Sequence, residues 1–518
     1  MLAPLVAWPA DTGPSGSDPV GAVRAAAKPA SPNDVVLDRV RKYVPPLAHP
    51  RGDRLPILVW QSRDFPTGLE TGDVASTQKV FVDRGILPLC NPCAGIESAK
   101  TYLPILRYWQ ERGFPVCILP QGWVQSLVTP DKNGRSKCRH APPADPSPKY
   151  PCPSATMALR TSGQSNTVAE TLGFLRDNGV KVKFLVVDFE SGLYLRNAGD
   201  REEPVRQQAA MALRCPKCVA EFGREAFEQP AAFAALADRV RSQITRTALC
   251  EPARKVFPDL AIGNFYARPI NRLPRPEGRW PAYGYENSGL NVAMPSMYMN
   301  AGWRGAGRDQ AKMNWNAFYC CLERFSPAAS VRRPGELLIP WSHVWIGGRY
   351  LDLAMKGGMV PEPWVMAEMV RHMMLRGAET FAIWFDTLIC AYPVKYPHPQ
   401  YAAMGQFVYD VVGIQEGYDD MLRFQEFLRR AQAVTFAVPG APNELTEETA
   451  TWSAMKTEEK ALVRTIAFAG GKTFTKAVQV YGKPVHLEFG PRGRFYWLYP
   501  DGRSEQIATD SGLTNPKH

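Results

Sequence analysis

Eight short apolar runs recur along this chain with helical stretches between them, and no other feature narrows the possible folds so far. The runs are PILVWQ (56–61), ILPLC (86–90), FPVCILP (114–120), KFLVVDFE (183–190), LAIGNFYA (260–267), NVAMPSMYM (291–299), ELLIPWSHVW (336–345) and TFAIWFD (380–386). The helical stretches include SAKTYLPILRYWQERG (98–113), SNTVAETLGFLRDNG (165–179), AAFAALADRVRSQITRTAL (231–249) and PEPWVMAEMVRHMMLRG (361–377). Strands that are apolar throughout are covered on both faces, as happens when parallel strands are joined by helical crossovers. Eight of them imply an α/β fold, a TIM-like (β/α)8 barrel spanning 51–432.

The flanks read differently. Residues 1–50 are rich in Ala, Pro and Gly without a sustained period, which implies a leader or linker. Beyond 432, short runs such as ALVRTIAFAG, PVHLEFG and RFYWLYP alternate with turn signals (GGK, PRG, PDG), predicting a small C-terminal antiparallel β domain over 433–518. That domain either packs on the barrel or binds sugar through its aromatics, packing being the commoner role.

Composition excludes some functions. With 45% hydrophobic and 21% charged residues the chain resembles an ordinary globular protein, and no apolar stretch nears the roughly 20 residues that span a bilayer. A net charge of +11 favours anionic partners, an acidic polysaccharide among them. No Lys/Arg run or nucleic-acid-binding motif points to nucleic acid. The opening MLAPLVAWPA has no preceding Lys or Arg and makes a poor signal peptide; location stays open, with a secreted or periplasmic lean. Nothing in the sequence sets an oligomeric state. Eleven cysteines include the pairs Cys90/Cys93 and Cys215/Cys218, whose spacing suits two thiolates gripping one tetrahedral ion. A structural zinc competes there with disulfides and free thiols; no other cofactor is implied.

Barrel enzymes build their sites from the carboxyl ends of the strands. Here those ends are polar and aromatic: Asp188 and Glu190 on the fourth run, Asn264 and Tyr266 on the fifth, Ser296 and Tyr298 on the sixth, Trp341 and His343 on the seventh, Trp384 and Asp386 on the eighth. Strand alternation puts Asp188 and Glu190 on one side, roughly 6 to 7 Å apart. Two carboxyls that close resist ionising together, so one keeps a proton near neutral pH. A protonated acid beside a carboxylate is what glycosidic cleavage requires, one protonating the leaving oxygen and the other steadying an oxocarbenium-like sugar. Tyr266, Tyr298, Trp341 and Trp384 suit the apolar faces of a pyranose, and Asn264, His343 and Asp386 suit its hydroxyls. The structural alternative is an acid pair that caps a helix or meets a loop Arg such as Arg196.

Three of these strand ends resemble the hyaluronidase family of glycoside hydrolases. VVDFES (186–191) is similar to its Asp-aromatic-Glu strand end, MPSMYMN (294–300) to its Pro-Ser-aliphatic-Tyr strand, and FAIWFD (381–386) to its aliphatic-Trp strand end, in the same chain order. The resemblance implies a retaining enzyme acting by substrate assistance. Glu190 would be general acid and then base, Asp188 and Tyr298 would hold the acetamido group, and Trp384 would floor the subsite. Ser191-Gly192-Leu193 stands where that family has a bulky basic segment, so hyaluronan itself does not follow.

Other readings remain open. Asp386 or Glu286 could serve as nucleophile or base opposite Glu190 in a double-displacement or inverting glycosidase, although Glu286, in PAYGYENSG, also reads as a solvated loop acid. A non-catalytic carbohydrate-binding or scaffold protein on the same barrel fits the aromatic cleft and the Pro-rich insertion at 129–153. A zinc enzyme using His343 is a third reading.

Overall fold

A computed structural model describes residues 32–60, 65–90, 95–120, 153–154, 157, 164–187, 202–273, 284–299, 309–343, 361–384, 404–468 and 471–508. Ten strands form the barrel: β1 (Ile57–Trp60), β2 (Ile86–Leu89), β3 (Val116–Ile118), β4 (Val182–Val187), β5 (Ala261–Asn264), β6 (Val292–Ala293), β7 (Ser296–Tyr298), β8 (Leu337–Leu338), β9 (Trp341–His343) and β10 (Ala382–Trp384). All pair in parallel, in two sheets ordered β2-β1-β10-β9-β7 and β3-β4-β5-β6-β8.

The two sheets are one closed ring. β6 and β7 are halves of the sixth strand, β8 and β9 are halves of the seventh, and a parallel bridge between Cys90 and Ile118 joins β2 to β3. The sequence places all eight strands correctly but reads the sixth and seventh as uninterrupted. Proline explains the breaks, since Pro295 and Pro340 have no N–H to donate. Their carbonyls still accept, from Trp341 N and Ala382 N at 2.9 Å each, so the ring holds through both gaps.

Side-chain direction follows from register and ring contacts. Trp341 (β9) meets Trp60 (β1) with ring centroids 5.6 Å apart, and Phe265, just past β5, at 5.1 Å. Strands that far apart around the ring touch only across the barrel interior. Gly263 of β5 faces inward as well: a Cβ there would stand 2.5 Å from the Met294 sulfur, so the lumen is filled where glycine leaves room.

Within the segment read as leader, Pro32–Tyr43 forms a helix whose Val36, Leu37 and Val40 are buried in the main core. This corrects the leader reading for 32–43: the Ala and Pro bias of the first thirty residues masked a short apolar stripe at helical spacing. Residues 1–31 lie outside the described residues.

The C-terminal β domain begins at β11 (Gln432–Ala433). It continues through β12 (Ala450–Lys456), β13 (Ala461–Ala467), β14 (Phe474–Gln479), β15 (Pro484–Phe489), β16 (Arg494–Leu498) and β17 (Ser504–Ile507). Its main sheet, ordered β11-β12-β13-β16-β17, is antiparallel. One face, with Leu462, Ile466 and Phe495, joins the barrel's core; the other, with Val463, Tyr496 and Leu498, packs with Val478, Leu487 and Phe489 of the β14–β15 hairpin. Sandwiched this way, every residue of β13 is buried.

The joint between the domains is ionic as well as apolar. Glu368 and Arg371, on the helix Pro363–Met374, meet Arg464 of β13 in a buried cluster. Against that helix's outer side lies the helix Gln406–Leu422, whose Gly413 and Gly417 permit close approach. A Cβ at Gly417 would stand 2.5 Å from the Ala367 carbonyl oxygen.

Candidate active site

Register brings several of the expected residues to one level. Trp60 pairs with Trp384 and Tyr298 pairs with His343, and the Ala382–Trp341 pair two residues earlier puts β10 and β9 in step. The backbones of Trp60, Tyr298, His343 and Trp384 therefore share one layer at the carboxyl rim. Trp60 was not among the expected site residues, although it ends β1, as Trp384 ends β10, in an aromatic after aliphatic residues. Asp188, Glu190 and Asp386 lie outside the described residues.

One layer below, Trp341 and Ser296 are register partners, and both are buried. Trp341 has no exposed surface, and its ring is held edge-on by Trp60 and Phe265. Its Nε1 and the Ser296 Oγ have no hydrogen-bond partner among the described residues. A buried donor left unmade costs about 1 to 3 kcal/mol, so this layer gives up stability to keep polar groups beneath the rim.

Tyr266 adds strain. It follows β5 with φ of 66°, in the left-handed region that a bulky side chain seldom enters, at a cost on the order of 1 to 3 kcal/mol. Its ring leans on Phe265 at 4.2 Å and it stays partly exposed at the carboxyl end of the barrel. Asn264, directly before, is fully buried and registers with Val187, the last residue of β4. Strand alternation turns Asn264 away from the Gly263 side, toward the helices.

Glu286 belongs to the other end of the barrel. It precedes β6 and pairs with Arg272 Nε at 2.5 Å. Arg272 in turn grips Glu336, immediately before β8, with two bonds of 2.7 Å. These hydrogen bonds, that to Glu336 foremost, hold the guanidinium charged well beyond its usual range. The proposed pairing of Glu286 with Glu190 thus meets a geometric obstacle: the acid is committed to a structural cluster at the amino face.

The thiols behave as core groups. Cys215 caps the helix Pro216–Phe222, its Sγ accepting from Cys218 N at 3.4 Å, and both are buried. Cys90 is buried at the end of β2, and burial pushes its thiol well above the ordinary range, which disfavours the thiolate a metal needs. Cys93 lies outside the described residues. Among the described residues no three His, Cys, Asp or Glu side chains gather closely enough to hold a metal ion, and no helix is long and apolar enough to cross a membrane.

No family model and no curated protein matches this chain. Among solved structures it is similar to a cyclic alpha-maltosyl-(1-->6)-maltose hydrolase from Arthrobacter globiformis, 11% identical over 90% of this chain and 94% of that one, with a TM-score of 0.40. It is similar also to the isomaltulose synthase SmuA from Protaminobacter rubrum, 9% identical over 85% and 97% with a TM-score of 0.43. A third is the maltogenic alpha-amylase AmyB from Thermotoga neapolitana, 8% identical over 89% and 100% with a TM-score of 0.38. At these values the likeness assigns neither family nor activity, and the fold rests on the strand pairing described above.

Proposed function

We propose that this protein is a glycoside hydrolase acting on a polysaccharide or glycosaminoglycan-like glycan, with Glu190 as acid/base and Asp188 as its assisting carboxylate. The observation that carries the reading is the rim layer in which Trp60, Tyr298, His343 and Trp384 stand in register, two residue pairs above the buried Trp341 and Ser296. β4 ends at Val187, so Asp188 and Glu190 follow directly and share the even parity of Phe184 and Val186. Phe184 registers with Ala261 and Val186 with the lumen-facing Gly263, which supports reading the acids as continuing the inward series.

In this reading Glu190 protonates the glycosidic oxygen and later activates water. On an N-acetylated sugar Asp188 orients the acetamido group, whose carbonyl oxygen attacks the anomeric carbon, giving retention. Tyr298 hydrogen-bonds that group, Trp384 with Trp60 and Tyr266 offers apolar faces to the ring, and Asp386 and His343 meet hydroxyls. The amino-face position of Glu286 weighs against its serving as the second carboxylate.

The test is a screen of the purified full chain against N-acetylated and non-acetylated polysaccharides, with Glu190→Gln alongside. Cleavage that falls by about 10²-fold or more in the variant, the scale of a lost acid/base, supports the assignment. Equal cleavage by parent and variant, or no cleavage of any glycan, removes it.

A further inference from the structure

The amino face of the barrel carries a cleft of about 560 Å³, lined by Arg246, Cys250, Glu251, Arg254, Lys255 and Asn287. We propose that it is an anion site, built to take the phosphate or sulfate group of a small molecule. Three cations and one acid line it, and the acid is already engaged: Glu251 pairs with Arg246 at 2.7 Å. Arg254 and Lys255 have no ion-pair partner among the described residues. Arg254, partly buried, makes one long bond, from Nη2 to the Leu260 carbonyl at 3.5 Å. Planar guanidinium and mobile ammonium together suit a tetrahedral oxyanion, the first as a fork of donors and the second as a point charge.

Three backbone irregularities shape the same cleft. Residues Arg246–Cys250 form a π-helical turn, a rare geometry often found at functional sites, between the helix Pro230–Thr245 and the helix Glu251–Val256. Asn287, opposite, has φ of 60°, a conformation asparagine tolerates better than most residues. Gly289 has φ of 82°, and a Cβ there would stand 2.9 Å from Cys250 Cβ and 3.2 Å from Arg254 Nη1. Glycine at 289 thus leaves Arg254 its place along the wall. Asn287 and Gly289 precede β6 and Leu260 precedes β5, so the cleft lies across the barrel from the carboxyl rim and does not depend on glycan cleavage.

Isothermal titration of the full chain with inorganic phosphate, glucose 6-phosphate and glucose tests the site. Saturable binding of both phosphates with Kd on the order of 1 mM, weakening as NaCl is raised, and none of glucose, is expected. The double variant Arg254→Gln/Lys255→Gln, folded by circular dichroism, should bind about ten-fold or more weakly, and Arg503→Gln, far away on the β domain, should bind as the parent does. Absence of saturable phosphate binding, or a double variant with the parent's Kd, overturns the proposal.

Discussion

Replacing Glu368 by Met should loosen the joint between barrel and β domain more than any other single change to a charged residue there. Glu368 is 3% exposed, accepting from Arg371 Nη1 at 2.7 Å and from Arg464 Nε at 2.9 Å, with a further short bond to Arg464 Nη2. Its two neighbours differ in what they keep. Arg371 retains Asp420 at 2.7 Å and Glu416 at 3.1 Å. Arg464, equally buried, keeps the Arg492 carbonyl at 3.0 Å, the face of Phe495 at 4.4 Å and the unbonded charge of Asp420, and its Nη1 already lacks a hydrogen-bond partner. A buried guanidinium stripped of its carboxylate costs about 3 to 5 kcal/mol. Adding Arg464→Met removes the stranded charge and fills the space with apolar atoms, so the double variant should recover to within about 1 kcal/mol of the parent. Urea unfolding followed by tryptophan fluorescence and circular dichroism together measures both, and divergence of the two probes would mark separate loss of the β domain. A single variant costing under about 1 kcal/mol, or a double variant no more stable than the single, would refute the claim that this pair carries an uncompensated charge when split.

Two further outcomes concern the helix Pro363–Met374. Gly417→Ala forces a methyl against the Ala367 carbonyl and should destabilise by about 1 to 3 kcal/mol, whereas Gly173→Ala, where a Cβ meets open space, should not; equal midpoints for the two would contradict the close crossing. His372 is fully buried, and burial, followed by the charges of Arg376, Arg464 and Arg371, lowers its pKa well below the ordinary value. Ser453 Oγ accepts from Arg376 Nε at 2.9 Å and shares a hydrogen bond with His372 Nδ1 at 2.8 Å, which a neutral ring can make in either tautomer. The unfolded chain takes up a proton there below about pH 6.5 and the native one does not, so stability falls with pH, by up to about 1.4 kcal/mol per unit. His372→Gln should flatten that slope in urea midpoints measured from pH 7 to 5; parallel slopes for variant and parent would dismiss it.

What was legible in the sequence follows from what each residue experiences. Runs such as FLVV and AIW are apolar on successive positions because both faces of a barrel strand are covered, and that pattern survives without any tertiary knowledge. Strand ends are readable too, which is why Tyr298, His343 and Trp384 group together from sequence as residues at the carboxyl ends of their runs. The helix at 32–43 is not legible because its stripe is short and sits beside a long biased segment.

Tertiary structure alone decided the rest, because those facts depend on residues distant in sequence. Trp341 looked like a sugar platform at a strand end, but ring closure places it under Trp60 and Phe265 with no exposed surface. Glu286 reads from sequence as a loop acid; Arg272, 14 residues away along the chain and itself bound to Glu336, holds it at the amino face. Glu368 and Arg464 are ordinary charges on a helix and a strand until packing removes water from both, and then each needs the other. Sequence determined which segments are strands and which end in polar residues, since that is local chemistry. Which of those polar residues face one another, and which are spent on holding the fold, was set by the closing of the ring.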